Sequence, residues 1–386
     1  MFYTYFFLQS FLLVTCIFVG FKVKNSRIRN IYLWLFVVCF TLIEGLRFGR
    51  GIDYNVYYRV FDMHENGSYE YGQGASFLFD WLCGLLVSCE LPYQALIIIC
   101  SGILGFTGVF WLRRYPSVMA ISLPWFFLLV VLTAENLFRW YTAFSFLLLG
   151  LDGLFNRNVK QYFIWLVCAM GFHIMIVFPA VVFFLIYKLE RPLCSSTIAI
   201  VLYIIISIVW STDFMYSFMS IANFFLSFFE HYTEVYGNNL ESWMDGSNHG
   251  LIQQSLIRQI LNFFFYAYLI IVGRKVVKYN PKLLLYYNIM LVGIIAYPAL
   301  YQIELMDRFL QLFLLFQCLI GAYCVYYTIK IPIFFRKYLL YTFFVFVCLV
   351  QKTYVYLTPS NKYFTYYIWN NDTRMECFST DYLNEY

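Results

Sequence analysis

The sequence predicts an all-α protein whose helices cross a membrane many times. Of its 386 residues, 62% are hydrophobic and 23% are aromatic, and the mean hydropathy is +0.70. Apolar runs of about 20 residues, the length of a membrane-spanning helix, recur from end to end. Only 12% of the residues are charged, and no linker of domain type interrupts the pattern. We therefore predict one polytopic helical bundle of about 11–12 spans plus a re-entrant or interfacial helix.

Basic residues orient the predicted spans. The first span, about residues 2–21, is followed by four basic residues and no acid, so this loop is predicted to be cytoplasmic. The later spans then alternate in direction. They are predicted at about 31–48, 92–112, 117–133, 140–155, 192–210, 256–272, 283–300, 309–329 and 331–351.

Two apolar runs do not have the length of an ordinary span. The run of about 76–88 is too short to cross comfortably and suits a re-entrant or interfacial helix. The run of 161–187 is too long and carries His173 near its middle, between basic flanks. We therefore predict a hairpin of two short helices that brings His173 to the outer side or near it.

The predicted domain organisation is simple. Residues 1–352 form a single transmembrane domain, and an outer loop at about 211–252 contains five acidic residues and no lysine or arginine. Residues 353–386 form a polar C-terminal tail that is predicted to lie on the outer side.

Charged residues collect at the predicted outer ends of the spans. Ionisable groups at membrane depth are costly unless they are paired or face water, so they are candidates for a functional site. They come from four parts of the chain yet share one membrane level, as a single water-filled pocket would require. The alternative is that they only pair or snorkel to hold the spans in place. The set comprises Arg47, Arg50, Asp53, Arg59, Glu135, Arg139, His173, Glu304, Asp307 and Arg308.

The first of these groups has the chemistry of an anion site. Arg47 and Arg50 are three residues apart and share a face if the helix continues through them. Arginine forks bind phosphate oxygens in pairs, and Gly49 and Gly51 let a bulky anion approach the backbone. A diphosphate is the ligand that this arrangement suits best.

Other residues in and near the groups suit a sugar substrate. Asp53, Glu135 or His173 can serve as a general base toward a sugar hydroxyl, and the three remain alternatives. Aromatic rings such as Tyr54 and Tyr57 suit sugar rings by stacking.

Several other kinds of site are not indicated. The four histidines are isolated, the eleven cysteines lack CxxC spacing, and no HExxH or DxD pattern occurs. The chain has no phosphate-binding loop, no dinucleotide fingerprint and no basic patch for nucleic acid. We therefore expect no metal, no cofactor and no nucleic-acid partner.

Four short motifs together resemble the EpsG-like family of bacterial polysaccharide polymerases, which is related to the O-antigen polymerases called Wzy. The resemblance implies a GT-C-like membrane enzyme that joins undecaprenyl-diphosphate-linked oligosaccharide repeat units at the outer face of the cytoplasmic membrane, without a metal. Its implied partners are the lipid-linked donor and acceptor, membrane lipid and a chain-length regulator. The motifs are Arg47-x-x-x-Gly51-x-Asp53-Tyr54-x-x-Tyr57, Glu135-Asn136-x-x-Arg139, Phe172-His173 and Asp307-Arg308.

The resemblance also implies roles for individual residues. Arg47, Arg139 and Arg308, supported by Arg50, would bind the donor diphosphate, while Asp307 joins the two tyrosines as a candidate for sugar binding. The sequence departs from the family pattern at two positions. Trp140 follows the middle arginine where relatives often have glutamine, and Met175 stands where a small polar residue is common.

Three other functions compete with the polymerase. A GT-C glycosyltransferase that moves one sugar from a polyprenyl monophosphate would share the pocket and the arginines. A flippase or exporter of lipid-linked glycans would place charges at several depths in the bundle rather than at one outer level. A structural or assembly subunit would not depend on the pocket. The repeat-unit sugars, the linkage and the type of polymer, whether O-antigen, capsule or exopolysaccharide, do not follow from the sequence.

Overall fold

The computed structural model describes residues 2–22, 26–51, 53–69, 76–209, 254–358 and 367–369. The predicted loop at 211–252 and most of the tail at 353–386 lie outside these residues. The described part of the chain consists of α-helices, short 3-10 turns and one pair of very short strands.

The helices of the first half follow one another with short connections. Their order is α1 (Phe2–Lys22), α2 (Ser26–Gly45), the strand β1 (Arg47–Phe48), α3 (Tyr54–Glu65), α4 (Phe77–Ser88), α5 (Tyr93–Leu112), α6 (Met119–Asn136), α7 (Phe138–Phe155) and α8 (Val159–Phe172).

The second half continues in the same way. After a 3-10 turn (Ile174–Ile176) come α9 (Val177–Tyr187), α10 (Ser196–Val209), α11 (Leu256–Tyr279), a 3-10 turn (Pro281–Leu283), α12 (Leu284–Leu300), α13 (Glu304–Leu314), α14 (Gln317–Lys330), α15 (Pro332–Leu357) and the strand β2 (Tyr367–Ile368).

The predicted fold class is confirmed: the chain is a polytopic membrane protein built from helices. Within the described residues, seven helical stretches are long and apolar enough to cross a bilayer, and five further apolar helices are 10–17 residues long. Large apolar side chains lie on the surface of several of them, and in α15 only 22% of the most apolar window is buried. An apolar surface of this kind suits contact with lipid rather than water.

The chain divides into two compact units. The first contains residues 1–72, 76–176 and 349–386, and the second contains residues 73–75 and 177–348. In the first unit α2 and α7 both pack on α5, α1 packs on α2 and α6, and α8 packs along α7. In the second unit α10 and α13 pack on α12, and α14 packs on α11.

The start and the end of α8 can be traced to particular residues. The side-chain oxygen of Asn158 accepts a hydrogen bond from the Gln161 amide at 3.1 Å, which caps the start of α8. The helix ends at Phe172 because His173 has extended backbone angles, φ −158° and ψ 109°. The long apolar run is therefore divided into two helices at His173, the position that the sequence indicates for the break.

The end of α2 differs from the prediction. The span was expected to continue to about residue 48 and to place Arg47 and Arg50 on one helical face, but the helix ends at Gly45. Arg47 lies in β1, and Gly49 adopts a left-handed conformation with φ +64°. Because a helix does not pass through such a residue, the two arginines extend from a strand and a turn instead.

Candidate functional site

The first unit brings three of the four sequence motifs together at the junction between α6 and α7. This junction consists of Glu135, Asn136 and Leu137, and Leu137 leaves the helical conformation with φ −107° and ψ 49°. Residues 46–51 and Asp53, between α2 and α3, lie against it through the contacts of Gly51 and Asp53 with Asn136. Motifs that are about 80 residues apart in the chain are therefore in direct contact.

Gly51 is the closest point of this contact. Its φ is +106°, and a Cβ atom placed there would lie 2.7 Å from the carbonyl oxygen of Glu135 and 3.0 Å from the Cα of Asn136. Both atoms belong to the backbone, so neither can rotate away. The first motif therefore requires glycine here for both conformation and space.

Gly51→Ala is expected to destabilise the protein more than Gly67→Ala. Gly67 also has a positive φ, +67°, but no atom lies within 4 Å of its Cβ position. The control therefore costs only the backbone strain of about 1–2 kcal/mol, whereas Gly51→Ala adds an overpacking cost of about 1–3 kcal/mol. Thermal unfolding of both purified variants in detergent measures the difference. Equal unfolding temperatures would show that the Gly51 contact is not tight.

Two amide side chains bind the backbone on either side of this connection. The side-chain oxygen of Asn136 accepts a hydrogen bond from the backbone amide of Asp53 at 2.8 Å, just before α3 begins. On α5, the side-chain amide of Gln94 donates to the carbonyl oxygens of Gly45 and Arg47, the latter at 2.9 Å. Gln94 is buried, and it could not be predicted from the sequence because a single amide in an apolar run forms no pattern.

Arg47 is buried and joins the ends of two helices. Its guanidinium donates to the carbonyl oxygen of Glu44 near the end of α2 and to that of Glu135 at 3.5 Å near the end of α6. It also donates to the hydroxyl of Ser101 on α5 at 3.2 Å. The side chain of Glu44 lies 3.8 Å away. These contacts satisfy carbonyl groups that a helix end leaves without partners. They also use N–H donors of the Arg47 guanidinium, which the sequence analysis assigns to diphosphate binding.

Arg50 forms a buried ion pair with Glu135. Its Nε atom lies 2.6 Å from a carboxylate oxygen of Glu135, and both side chains are at most 1% exposed. The guanidinium also lies over the ring of Tyr5, 3.8 Å from its centre. Burial lowers the pKa of Arg50, but the charge of Glu135 and the Tyr5 hydroxyl more than offset this and raise it overall. The arginine therefore stays charged in the interior.

The ion pair belongs to a larger buried polar network. Tyr356, near the end of α15, donates to Gln9 on α1, and Gln9 donates to Glu44 at 2.5 Å. The hydroxyl of Tyr5 donates to the carbonyl oxygen of Tyr356 at 3.2 Å. The network thus joins residues from both ends of the chain to the first motif, which no sequence pattern revealed. A cavity of about 10 Å³, the size of one water molecule, borders Glu44, Arg47 and Glu135.

Arg139 is placed differently from the other two arginines. It lies on the first turn of α7, is half-buried, and forms no ion pair within the described residues. Its guanidinium carbon lies 5.5 Å from the ring centre of Tyr57 and 5.3 Å from that of Phe79. These distances are typical of cation–π contacts, which leave the hydrogen-bonding edge of the guanidinium available to an anion.

The structure adds Asp80 to the surroundings of Arg139. This buried aspartate on α4 is close enough to Arg139 for electrostatic attraction and accepts a hydrogen bond from Tyr69. Burial, followed by this hydrogen bond, raises the pKa of Tyr69. The ring of Tyr69 stacks on His64 at 3.9 Å, and burial lowers the pKa of His64. Asp80 was missed because it stands alone in a short apolar run, although a charge in such a run is itself a signal.

His173 lies beside the same helix turn as Arg139. Its ring meets that of Trp140 edge to face, with 4.8 Å between the ring centres. Like Asp53, His173 is half-buried, whereas Glu135 is 1% exposed. The first unit therefore contains all three candidate bases, two of them nearer to its surface than the third.

The two tyrosines assigned to sugar binding are buried among protein rings. Tyr54 packs against Phe48 and Tyr93, with ring centres 5.7 and 5.3 Å apart, and donates to Gln94 at 3.4 Å. Tyr57 packs against Phe138 at 4.3 Å. These contacts connect α3 to β1, α5 and α7, and the role of both residues in sugar binding stays a prediction.

The fourth motif is located in the second unit. Asp307 and Arg308 lie in the first turns of α13, and both are half-buried. Asp307 accepts a hydrogen bond from the side-chain amide of Gln311 at 2.5 Å. Their assigned roles in sugar and diphosphate binding stay predictions.

The C-terminal strand lies beside the first motif. β2 pairs antiparallel with β1, so that Ile368 is opposite Arg47 and Tyr367 is opposite Phe48. The amide of Trp369 continues the pairing by donating to the carbonyl oxygen of Leu46 at 2.8 Å. At least this part of the predicted tail is thus part of the first unit.

The part of the chain that the structure describes contains no candidate metal-binding cluster. Those residues include no group of three or more His, Cys, Asp or Glu side chains arranged to hold an ion.

The fold and the site define a polytopic membrane protein with a buried arginine–carboxylate cluster beside a half-buried arginine and histidine. A sequence model of the EpsG family matches residues 30–369. The chain therefore belongs to the EpsG family, and this membership indicates a polysaccharide polymerase type of function. The match begins within α2 and ends at Trp369, so it includes all four motifs and the pairing of β1 with β2. Comparisons with curated proteins and with solved structures gave no match.

Proposed function

We propose that the protein is a polysaccharide polymerase that joins undecaprenyl-diphosphate-linked oligosaccharide repeat units. The observation that supports this best is the convergence of three motifs at the α6–α7 junction in a member of the EpsG family. The proposed location is the bacterial cytoplasmic membrane, with the site facing the periplasm or the outside. A chain-length regulator is a further proposed partner.

The proposed reaction is glycosyl transfer with the lipid diphosphate as leaving group. The bond between the anomeric carbon of the donor saccharide and the diphosphate oxygen breaks, and a bond from that carbon to an acceptor hydroxyl oxygen forms. The hydroxyl proton passes to a base on the protein, and the negative charge stays on the departing diphosphate. The protein thus needs a cation beside the diphosphate and a base beside the acceptor.

Arg139 is the residue of the first unit that best fits the cation. Its guanidinium contacts aromatic rings rather than a carboxylate, so binding a diphosphate would not require an existing ion pair to break. Arg47 and Arg50 already bind protein groups, which suits a supporting role in fixing the motifs around Arg139. The family resemblance implies diphosphate binding for Arg308 as well.

Asp53 and His173 are the better candidates for the base. Both are half-buried, whereas the carboxylate of Glu135 is buried against Arg50. A base must reach the hydroxyl of an incoming acceptor, so access to the surface favours the first two. Replacing each in turn, as Asp53→Asn and His173→Ala, and comparing pH–rate profiles distinguishes them.

A reconstituted assay tests the function directly. The purified full chain in liposomes receives the host's undecaprenyl-diphosphate-linked repeat unit, without nucleotide sugar and with a chelator, and the products are separated on a gel. A polymerase gives a ladder of products spaced by one repeat unit, while protein-free liposomes give none. The ladder is expected to be lost in the double variant Asp53→Asn/His173→Ala.

Each competing function gives a different result in this assay. When a polyprenyl-monophosphate sugar is also supplied as donor, addition of that one sugar without a ladder would support the single-sugar transferase. Movement of the intact lipid-linked unit across the liposome membrane, without new glycosidic bonds, would support a flippase. Either result would overturn the proposed polymerisation.

A further inference from the structure

The second unit contains a cavity that the motifs do not explain. It has a volume of about 510 Å³, within the range of small-molecule sites, and lies between α10, α11 and α12. Twelve of the described residues line it, and none of these twelve is charged. A lining of twelve uncharged residues suits an uncharged ligand better than a diphosphate, whose hydration those side chains would not replace with charge.

Tyrosine rings and amide groups form the polar part of the lining. Tyr297 and Tyr301 stack with their ring centres 4.9 Å apart and their planes at 15°, and Tyr203 also borders the cavity. The side chains of Gln259 and Gln302 contribute amide groups. The Gln302 side chain carries two N–H donors and a carbonyl acceptor at the cavity wall.

The ring of Tyr297 is held in a fixed orientation. Its hydroxyl accepts hydrogen bonds from the side-chain amides of Gln254 and Asn262, each at 2.8 Å. Asn262 also donates to the side-chain oxygen of Gln254 at 3.1 Å, which closes a small polar network. A pre-oriented aromatic surface loses little conformational freedom when a ligand binds.

These features favour a sugar ring over a hydrocarbon chain. A pyranose has an apolar face of C–H groups that packs on an aromatic ring, and hydroxyls around its edge that pair with amides. A prenyl or acyl chain would fit the apolar rim formed by Ile204, Ile208 and Leu256. Such a chain would place hydrocarbon against the amide of Gln302 and leave its polar atoms without hydrogen bonds, which is costly.

We propose that this cavity binds a neutral sugar of the saccharide substrate, with Tyr301 contributing the ring surface and Gln302 the hydrogen bonds. The inference rests on the proposed polymerase function, because it deepens that function to a saccharide-recognition site. In this role the cavity selects the repeat unit, and the diphosphate is bound by other residues.

Binding of free oligosaccharide tests the cavity without requiring activity. The probe is the oligosaccharide released by mild acid from the host's lipid-linked repeat unit, and saturation-transfer NMR measures its binding to the full chain in nanodiscs. Tyr301→Ala and Gln302→Ala are each expected to weaken binding at least tenfold. Tyr279→Ala, which removes an exposed tyrosine at the end of α11, is the control and should bind like the wild type.

Kinetics with the lipid-linked unit give a second readout. Tyr301→Ala and Gln302→Ala should raise KM about tenfold or more and change kcat less than threefold, since uniform binding energy is lost. Size-exclusion profiles and unfolding temperatures identify any variant that fails to fold, and Tyr301→Phe, which keeps the ring surface, should retain most of the affinity.

The outcomes separate this inference from the function on which it rests. A ladder from the wild type with unchanged saccharide binding in both alanine variants would overturn the cavity assignment. Saccharide binding that depends on Tyr301, without any ladder from the wild type, would overturn the polymerase and support the cavity. If these substitutions weakened the binding of a polyprenol but not of the oligosaccharide, the cavity would be assigned to a lipid chain and the inference would be overturned.

Discussion

Arg139→Ala is expected to reduce the rate of polymer formation by about 100-fold or more, on the order of 3 kcal/mol of transition-state stabilisation. The physical reason is that the guanidinium stabilises the negative charge that grows on the diphosphate as the anomeric carbon departs. Its position over the rings of Tyr57 and Phe79 fixes its orientation without neutralising its charge. Initial rates in the reconstituted ladder assay measure the effect.

Two companion variants sharpen this prediction. Arg139→Lys keeps the charge but loses the planar fork, so an intermediate rate is expected. Arg157→Ala is the matched control, because Arg157 is an exposed arginine just beyond the opposite end of the same helix and should leave the rate unchanged. A full rate in Arg139→Ala, or an equal loss in the control, would show that the guanidinium does not act on the diphosphate.

The main features of the helical architecture could be predicted because hydrophobic runs and basic loops report directly on helices in a membrane. The break at His173 is an example, since a run of 27 residues from 161 to 187 with a histidine near its middle does not suit a single span. The end of α2 could not be predicted as accurately. Arg47 and Phe48 form a strand of two residues, too short to have a period of its own.

The contacts of the site were harder to predict than its members. The clustering of charges at the outer ends of the spans identified Arg50 and Glu135. It predicts both at a water-facing helix end, whereas the structure buries them together. The pairing partner of a side chain is a property of three-dimensional packing. Tyr356 reaches Gln9 across 347 positions of sequence, and a single sequence holds no record of such a contact.

Asp80 illustrates a different limit. The residue is a single charge within a short apolar run, whose length predicts an interfacial helix but whose one acid does not indicate a partner. Only the packing of α3 on α4, together with the proximity of Asp80 to Tyr69 and Arg139, gives the aspartate a place in the site.

Glu135→Ala is expected to destabilise the folded protein by about 3–5 kcal/mol, the cost of leaving a buried charge without its partner. Arg50 is 0% exposed and lies at the contact between the first two motifs, so its charge cannot easily reach water. Arg50→Met should have a comparable effect, since it leaves the Glu135 carboxylate buried. The measurement is the unfolding temperature and the yield of folded protein in detergent.

The double variant Arg50→Met/Glu135→Leu is expected to recover much of the stability that either single change loses. An apolar pair of similar volume needs no hydration, and replacing a buried ion pair in this way is often neutral or stabilising.

Arg114→Ala provides the comparison at a more exposed pair, because the Arg114 side chain is 29% exposed and Asp152 keeps a hydrogen bond from Asn156 at 3.3 Å. Its loss should be smaller. If Glu135→Ala unfolded at the wild-type temperature, the ion pair would not be what holds the first two motifs together. A stable double variant with low polymerase activity would instead show that the pair contributes to the reaction as well as to folding.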